Sequence, residues 1–327
     1  MINRVTHSPT PHPLRTAIIW VARTAVSVGL LYYLARHVDT SQVLDHLRHA
    51  SVSWLIVALL LYAAVAGIST WRWRTLLHAQ HVAIDFKELL ASFLVATYFN
   101  NFLPSNIGGD VVRITDTARR AGSKTLATTV VFIDRGIGLL GLLFVAAVGS
   151  TIVAYRSAAI GPLGPGILWM LFGGGVIGAA PFVLAPERVG KMLAPIRILH
   201  QEWVDERLGK FTSALAKFKA SPSALIAAFG GAVVIQAILI GFYAAIARAL
   251  QIQIPWNHLG ILVPVSFVVQ MLPVSIGGLG VREGLFKQYF AGLGLNPGQG
   301  IILSLMGFAL MIVFSISGAV IYLMRRR

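Results

Sequence analysis

Residues 100 to 113, NNFLPSNIGGDVVR, set helix breakers and ionisable groups inside an otherwise apolar run. Pro104 lacks a backbone donor and clashes with the preceding turn, Gly108 and Gly109 release the backbone, and Asp110 and Arg113 are costly to bury without partners. A regular helix does not pass through such a stretch, so the expectation is a break within the membrane that other parts of the chain shield. The pattern returns at residues 270 to 283, QMLPVSIGGLGVRE. Leu103, Pro104, Ile107, Gly108, Gly109, Val112 and Arg113 recur there as Leu272, Pro273, Ile276, Gly277, Gly278, Val281 and Arg282. Each copy of LPxxIGGxxVR follows two long apolar segments and precedes one more, as expected of a duplicated half that ends in a re-entrant hairpin and a helix.

Composition sets the class. Of 327 residues, 56% are hydrophobic and 12% charged, with a mean hydropathy of +0.76, and several apolar runs reach bilayer-crossing length. The net charge of +15 suggests nucleic acid in a soluble domain. Here Lys and Arg sit between apolar runs, where they set orientation, so nucleic acid is not an expected partner. With no cysteine, disulfides, thiol nucleophiles and Cys-ligated metals are excluded.

Taken in order, the polar residues 1–14 form a tail and residues 16–38 the first membrane helix. That run is too long for a signal peptide, contains Arg23 and shows no small-residue cleavage pattern. Residues 52–71 form the second helix, closed by Trp71-Arg72-Trp73-Arg74, an aromatic belt joined to positive charge. Hairpin 1 occupies residues 87–121. The next helix, about 126–155, carries Asp134 and Arg135, and another spans 166–185. Residues 187–221 are polar, with Trp203, Leu208, Phe211, Leu215 and Phe218 at helical spacing among basic residues, the pattern of an amphipathic helix on an anionic leaflet. A helix at 223–250, hairpin 2 at 259–290 and a last helix at 301–323 complete the chain. It is expected to be one all-α integral membrane domain, with an inverted repeat of three membrane helices and one re-entrant hairpin per half, about 16–156 and 166–323.

Basic residues fix the expected orientation. Arg4, Arg15, Arg72, Arg74, Lys87, Arg119, Arg120, Lys124, the Arg188 to Lys219 set and the terminal arginines fall on one side. Arg36, Arg48, Arg156, Arg248 and Lys287 fall on the other. The positive-inside rule makes both termini cytoplasmic, with hairpin 1 entering from the cytoplasm and hairpin 2 from outside.

A helix that starts just after a Gly-Gly pair directs unpaired N–H groups at the hairpin tip, and Arg113 and Arg282 lie about one turn, or roughly 6 Å, further on. Two such tips meeting near the midplane suit a phosphate, which a guanidinium binds as a two-pronged fork. The alternative is structural: Arg113 pairs with Asp110 or Asp134, and Arg282 with Glu283, to hold the hairpins in place. Asp134 and Arg135 are adjacent, point in different directions and each need a partner, hairpin 1 being nearest in sequence; a part in the substrate site and a purely structural pairing both stand open for them. Asn100 and Asn101 suit either the freed carbonyls of the break or a substrate. His78 and His81, like His46 and His49, have a spacing seen in metal sites, but with no third ligand beside them they are read as interfacial; no metal or cofactor is expected. No phosphate-binding loop, HExxH or GxSxG motif occurs.

At these motifs the chain resembles the lysylphosphatidylglycerol synthase membrane-region family, also called flippase-like domain proteins. The resemblance rests on Asn101, Pro104, Gly108, Gly109, Asp110 and Arg113, on the Asp134-Arg135 pair, and on Pro273, Gly277, Gly278, Gly280, Arg282 and Glu283. It implies a bacterial inner-membrane protein that moves lipids, or lipid-linked or hopanoid-type molecules, between leaflets. Only three arginines follow the last helix, so the soluble aminoacyl-transfer domain of the family's bifunctional synthases is not expected. The expectation is a transporter of an amphipathic, anionic-headed lipid rather than an enzyme. The rivals are a glycosyl or phosphate transferase acting on lipid-linked substrates, and a scaffold that recruits a lipid-modifying enzyme partner.

Overall fold

The computed structural model describes residues 48–102, 108–156, 164–193, 201–271 and 278–325. The helix expected at residues 16–38, and the breaks holding Pro104, Pro273 and Gly277, lie outside the described residues. Among the described residues there are eleven helices: α1 Val52–His78, α2 Phe86–Phe102, α3 Gly108–Ala121, α4 Lys124–Arg156, α5 Pro165–Leu184, α6 Pro186–Leu193, α7 Gln201–Ala220, α8 Pro222–Ala249, α9 Trp256–Met271, α10 Val281–Gly292 and α11 Pro297–Arg325. Five of them, α1, α4, α5, α8 and α11, are long and apolar enough to cross a membrane. At 1.5 Å per residue α1 reaches about 40 Å, beyond the roughly 30 Å hydrocarbon layer, whereas α2 and α9 reach only about 25 Å.

The paired short helices fold back on themselves. The first turn of α2 meets the last turn of α3, where Arg120 donates to both carboxylate oxygens of Glu88 at 3.0 Å. Arg325, at the end of α11, joins them by donating to Asp116 at 3.0 Å. The start of α9 and the end of α10 meet likewise, His258 Nδ1 lying 3.1 Å from the Tyr289 hydroxyl. That meeting occurs at the other end of the bundle, where α1 begins beside the end of α8 and Ser51 N–H donates to the Ala249 carbonyl.

The two halves also pack alike. The register that carries Arg113 onto Arg282 carries Phe102 onto Met271, the last residues of α2 and α9, and Arg156 onto Arg325, the last residues of α4 and α11. It carries Gly149 onto Gly318 as well. Gly149 of α4 faces Gly260 of α9, and Gly318 of α11 faces Leu94 of α2. A Cβ at either glycine would run into the facing backbone, so both crossings need the bare backbone. Thus α2 rests on the long helix of the second half, and α9 on that of the first.

The main core lies where α1, α8, α9, α10 and α11 meet, around Phe242, Tyr243, Phe286 and Phe290. A second core forms at the basic end: Leu215 and Phe218 of α7 are fully buried against Trp73, Leu76 and Leu77 of α1. The amide of Gln80 ties the two helices by donating to the Ala214 carbonyl at 3.0 Å. These two residues of α7 belong to the apolar stripe that the sequence sets against a lipid surface, and here protein covers them. The reason is the length of α1, which continues two turns past Trp71 and supplies an apolar floor. By contrast α5 packs mainly on α4 and leaves Trp169, Met170, Ile177 and Leu184 exposed.

Candidate functional site

The first hairpin builds an alternating chain of charges. Asp110 and Arg113 are three residues apart in the first two turns of α3 and so share a face. Adjacent residues on a helix diverge by about 100°, and Asp134 and Arg135 accordingly take different partners. Asp134 accepts from Arg113 Nη2 at 2.9 Å and from Arg72 Nε at 2.8 Å. Arg135 pairs through Nε with Asp110, whose other oxygen is 4.0 Å from Arg113 Nη1. The order is Arg72, Asp134, Arg113, Asp110, Arg135: among the described residues lining the cavity, three cations and two anions, one positive charge in excess. The Arg113 guanidinium also lies over the buried Trp73 ring, 4.4 Å from its centre, an attraction that grows with loss of water.

This chain of charges lines a cavity of about 220 Å³. Ser69 and Arg72 of α1, Thr97 and Asn100 of α2, Gln236 of α8 and Met271 of α9 complete its wall. It thus sits where α3 begins and where the first arm of hairpin 2 ends. Asp134 is ten residues into α4, about 15 Å from the basic end. Asn100 closes the tip of hairpin 1 by accepting from Gly109 N–H at 2.8 Å. Only glycine suits position 109, since a Cβ would strike the Ala96 carbonyl and the Asn100 amide. Asn101 does not line the cavity; its side-chain nitrogen is buried with no hydrogen-bond partner among the described residues. Gly108 opens α3 and is half-buried.

The second hairpin carries the same arginine into a sealed setting. Arg282 and Glu283 are both 0% exposed. Glu283 accepts from Gly280 N–H at 2.6 Å, from Arg282 Nε at 3.0 Å and from the Ser304 hydroxyl at 3.0 Å. Arg282 Nη2 also reaches Glu283, and the guanidinium lies 4.9 Å from the centre of the Phe308 ring. Gly278 and Gly280 make the turn into α10 with φ of 76° and 84°, a region that side chains disfavour. Here the charges cancel. Residues 303 and 304, in register with Asp134 and Arg135, are Leu303 and Ser304.

Of the residues singled out from the sequence, the structure brings Asp110, Arg113, Asp134 and Arg135 together around one cavity and places Arg282 and Glu283 in another environment. Sequence reasoning missed Arg72, Ser69 and Gln236 as cavity residues. Arg72 was absorbed into the interfacial belt, although it stands one helical turn from Ser69 and so shares a polar face with it. Gln236 is a lone amide deep in an apolar helix. It is 6% exposed, and its side-chain oxygen has no hydrogen-bond partner among the described residues. An isolated amide in such a run is the available signal.

No solved structure matches this chain. A "UPF0104 membrane protein" of Methanothermobacter thermautotrophicus (strain Delta H) is 23% identical over 283 residues, covering 80% of this chain and 81% of the relative. The lysylphosphatidylglycerol synthase TM region matches residues 20–318, nearly the full length, and with the membrane-crossing helices, the two hairpins and the charged cavity in place the chain belongs to that family.

Proposed function

We propose that this protein moves an amphipathic lipid with an anionic head group between the leaflets of a bacterial inner membrane, holding the head group in the cavity beside Arg72, Arg113 and Arg135. The observation that carries this reading is a cavity about 15 Å inside the protein whose charged wall has one cation in excess. Burying unbalanced charge is costly, and a bound anion offsets that cost. The cavity has room for roughly seven water molecules at about 30 Å³ each, the size of a head group and not of a whole lipid, so the acyl chains would stay in the bilayer. Guanidinium forks supply the charge-assisted bonds a phosphate needs.

The packing supports an inverted repeat. Exchanging the halves maps the α2–α11 contact onto the α9–α4 contact, and the outer ends of the two hairpins lie at opposite ends of the bundle. Such an arrangement lets one central site open to either side in turn. The end bearing Arg74, Arg120, Lys124, Lys217, Lys219 and Arg325 is then cytoplasmic, with the exposed lysines of α7 turned to the anionic inner leaflet.

The test is reconstitution into liposomes with labelled lipids, following leaflet exchange and product formation in one assay. Exchange without product is expected, and Arg113→Gln should slow it at least tenfold. Product without exchange would instead make the protein an enzyme, and neither would leave it a scaffold for a lipid-modifying partner.

A further inference from the structure

Between the central cavity and the basic end, hairpin 1 and α1 hold buried polar groups that lack partners. The hydroxyls of Ser92 on α2 and Thr117 on α3 are 2% and 1% exposed, and neither has a hydrogen-bond partner among the described residues. Nor has the indole N–H of Trp73, fully buried on α1 beneath the Arg113 guanidinium. We propose that these groups mark the route by which the head group travels between the cavity and the cytoplasm, passing along the arms of hairpin 1, and that the clasp at the outer ends of those arms is its gate. The route rests on the transport reading above and adds to it where the head group enters.

The register of the hairpin sets the depth of the two hydroxyls. Asn100 meets Gly109 at the tip and Glu88 meets Arg120 at the outer end, so Ser92, four residues in from Glu88, and Thr117, three in from Arg120, come to one level. Each also continues the cavity wall. Ala96 and Arg113 line the cavity, and Ser92 and Thr117 stand one turn, about 6 Å, nearer the basic end on the same helix faces. Glu88 and Arg120 follow about one turn later. On both arms, then, cavity, hydroxyl and clasp succeed one another within about 12 Å.

A helix hydroxyl can turn back to the carbonyl four residues earlier, as Thr97 and Thr115 do on the same two arms at 2.9 and 2.7 Å. Ser92 and Thr117 do not, and a buried polar group left without a partner destabilises the fold. A passing phosphate removes that penalty, because both hydroxyls and the indole N–H can donate to its oxygens. The gate is made of ties that water can replace. Arg120 donates to both carboxylate oxygens of Glu88, and Arg325 donates to Asp116 and to the Glu88 carbonyl. The four side chains are between 29% and 61% exposed, so solvent competes for every tie.

The experiment uses the full chain, which has no cysteine. In sealed vesicles Thr117→Cys reports access to an anionic, membrane-impermeant methanethiosulfonate. It should be modified only where the basic end faces the reagent, and R120Q/R325Q should speed the reaction about fivefold, the factor for roughly 1 kcal/mol of exposed ties. Loss of two cations by itself slows an anionic reagent, so a faster reaction reports opening. Ala214→Cys, also buried at the basic end but outside the hairpin, should keep its rate. Leaflet exchange is the second readout: S92A/T117V should slow it about fivefold, the worth of one neutral hydrogen bond, while the unfolding temperature holds or rises because only unpartnered groups are removed. Modification from the other face, a rate unchanged by R120Q/R325Q, or one raised equally at Ala214→Cys overturns the gate. Exchange at the parental rate in S92A/T117V, or an unfolding temperature that falls with the exchange, overturns the route and leaves the transport reading intact. No exchange by the parent chain sinks the transport reading, and this route with it.

Discussion

Arg113 and Arg282 are the same residue of the same repeated motif, yet the first lies in an open chain of charges with a positive excess and the second in a sealed, neutral pair. The hairpins do not explain the difference, since both place the arginine near the start of the returning arm. The long helix that follows does. In the first half it brings Asp134 and Arg135, so Arg113 must look across to α4 for its counter-ion. In the second half it brings Leu303 and Ser304, and Arg282 takes the carboxylate next to it in the chain. A repeated motif thus fixes where a guanidinium sits, and the facing helix decides whether it stays available.

The largest expected effect follows from that contrast. Arg282→Gln strands Glu283 with no cation in a site with no access to water, a loss of about 3–5 kcal/mol that should show as poor yield or a sharply lowered unfolding temperature. Making Glu283→Gln as well should restore most of it. Arg113→Gln leaves Asp134 its bond to Arg72, so the stability loss should be smaller, about 1–3 kcal/mol, while leaflet exchange falls at least tenfold. Arg113→Lys keeps charge without the fork and should retain partial exchange. Equal destabilisation by the two Arg→Gln changes, or rescue of exchange in Arg113→Gln by Asp134→Asn, would show both arginines to be structural.

The scaffold should behave alike in both halves where the sites do not. Gly149→Ala and Gly318→Ala each drive a Cβ into a facing backbone, and overpacking of this kind costs about 1–3 kcal/mol. Similar falls in unfolding temperature are expected. A large effect at one glycine and none at the other would mean that the shared register is not shared packing. Sidedness sharpens the same point: single cysteines at Arg119 and Gln288, both exposed near the outer ends of the hairpins, should be labelled from opposite faces of sealed vesicles, Arg119→Cys from the cytoplasm. Labelling of both from one face would remove the inversion.

Much of the helical layout was legible because apolar length and helix breakers act locally. The described membrane helices begin and end within a few residues of the expected positions, apart from α1, and the described arms of each hairpin lie on either side of its Pro and Gly-Gly stretch. The partner choices of Asp134 and Arg135 followed in part, since adjacent helical residues must diverge. Arg72 was not legible, because a tryptophan on each side gives it the look of an interfacial cation. Only folding shows that Trp73 turns inward beneath α7 while Trp71 stays exposed. The fate of Leu215 and Phe218 was hidden for a related reason: an apolar stripe states that something must cover it and not whether that is lipid or protein.

The smallest effect concerns the outer ends of the hairpins, and it asks what holds them in place. Glu88 and Arg120 close the first hairpin across an exposed surface, with side-chain exposures of 43% and 61%. His258 and Tyr289 close the second with a single hydrogen bond at 3.1 Å. Exposed pairs stabilise by about 0.2–1 kcal/mol because water screens the charges and two long side chains lose freedom, and a single neutral hydrogen bond contributes about as much. Glu88→Gln and Tyr289→Phe should therefore each lower the unfolding temperature less than Gly149→Ala or Gly318→Ala does. The hairpins would then be held by their backbone crossings within the bundle, with the outer ties left free to open. If Glu88→Gln proves more damaging than Gly318→Ala, the clasp at the basic end, joined by Arg325 to Asp116, is what holds the first hairpin, and the two hairpins differ in their anchoring as well as in their charge.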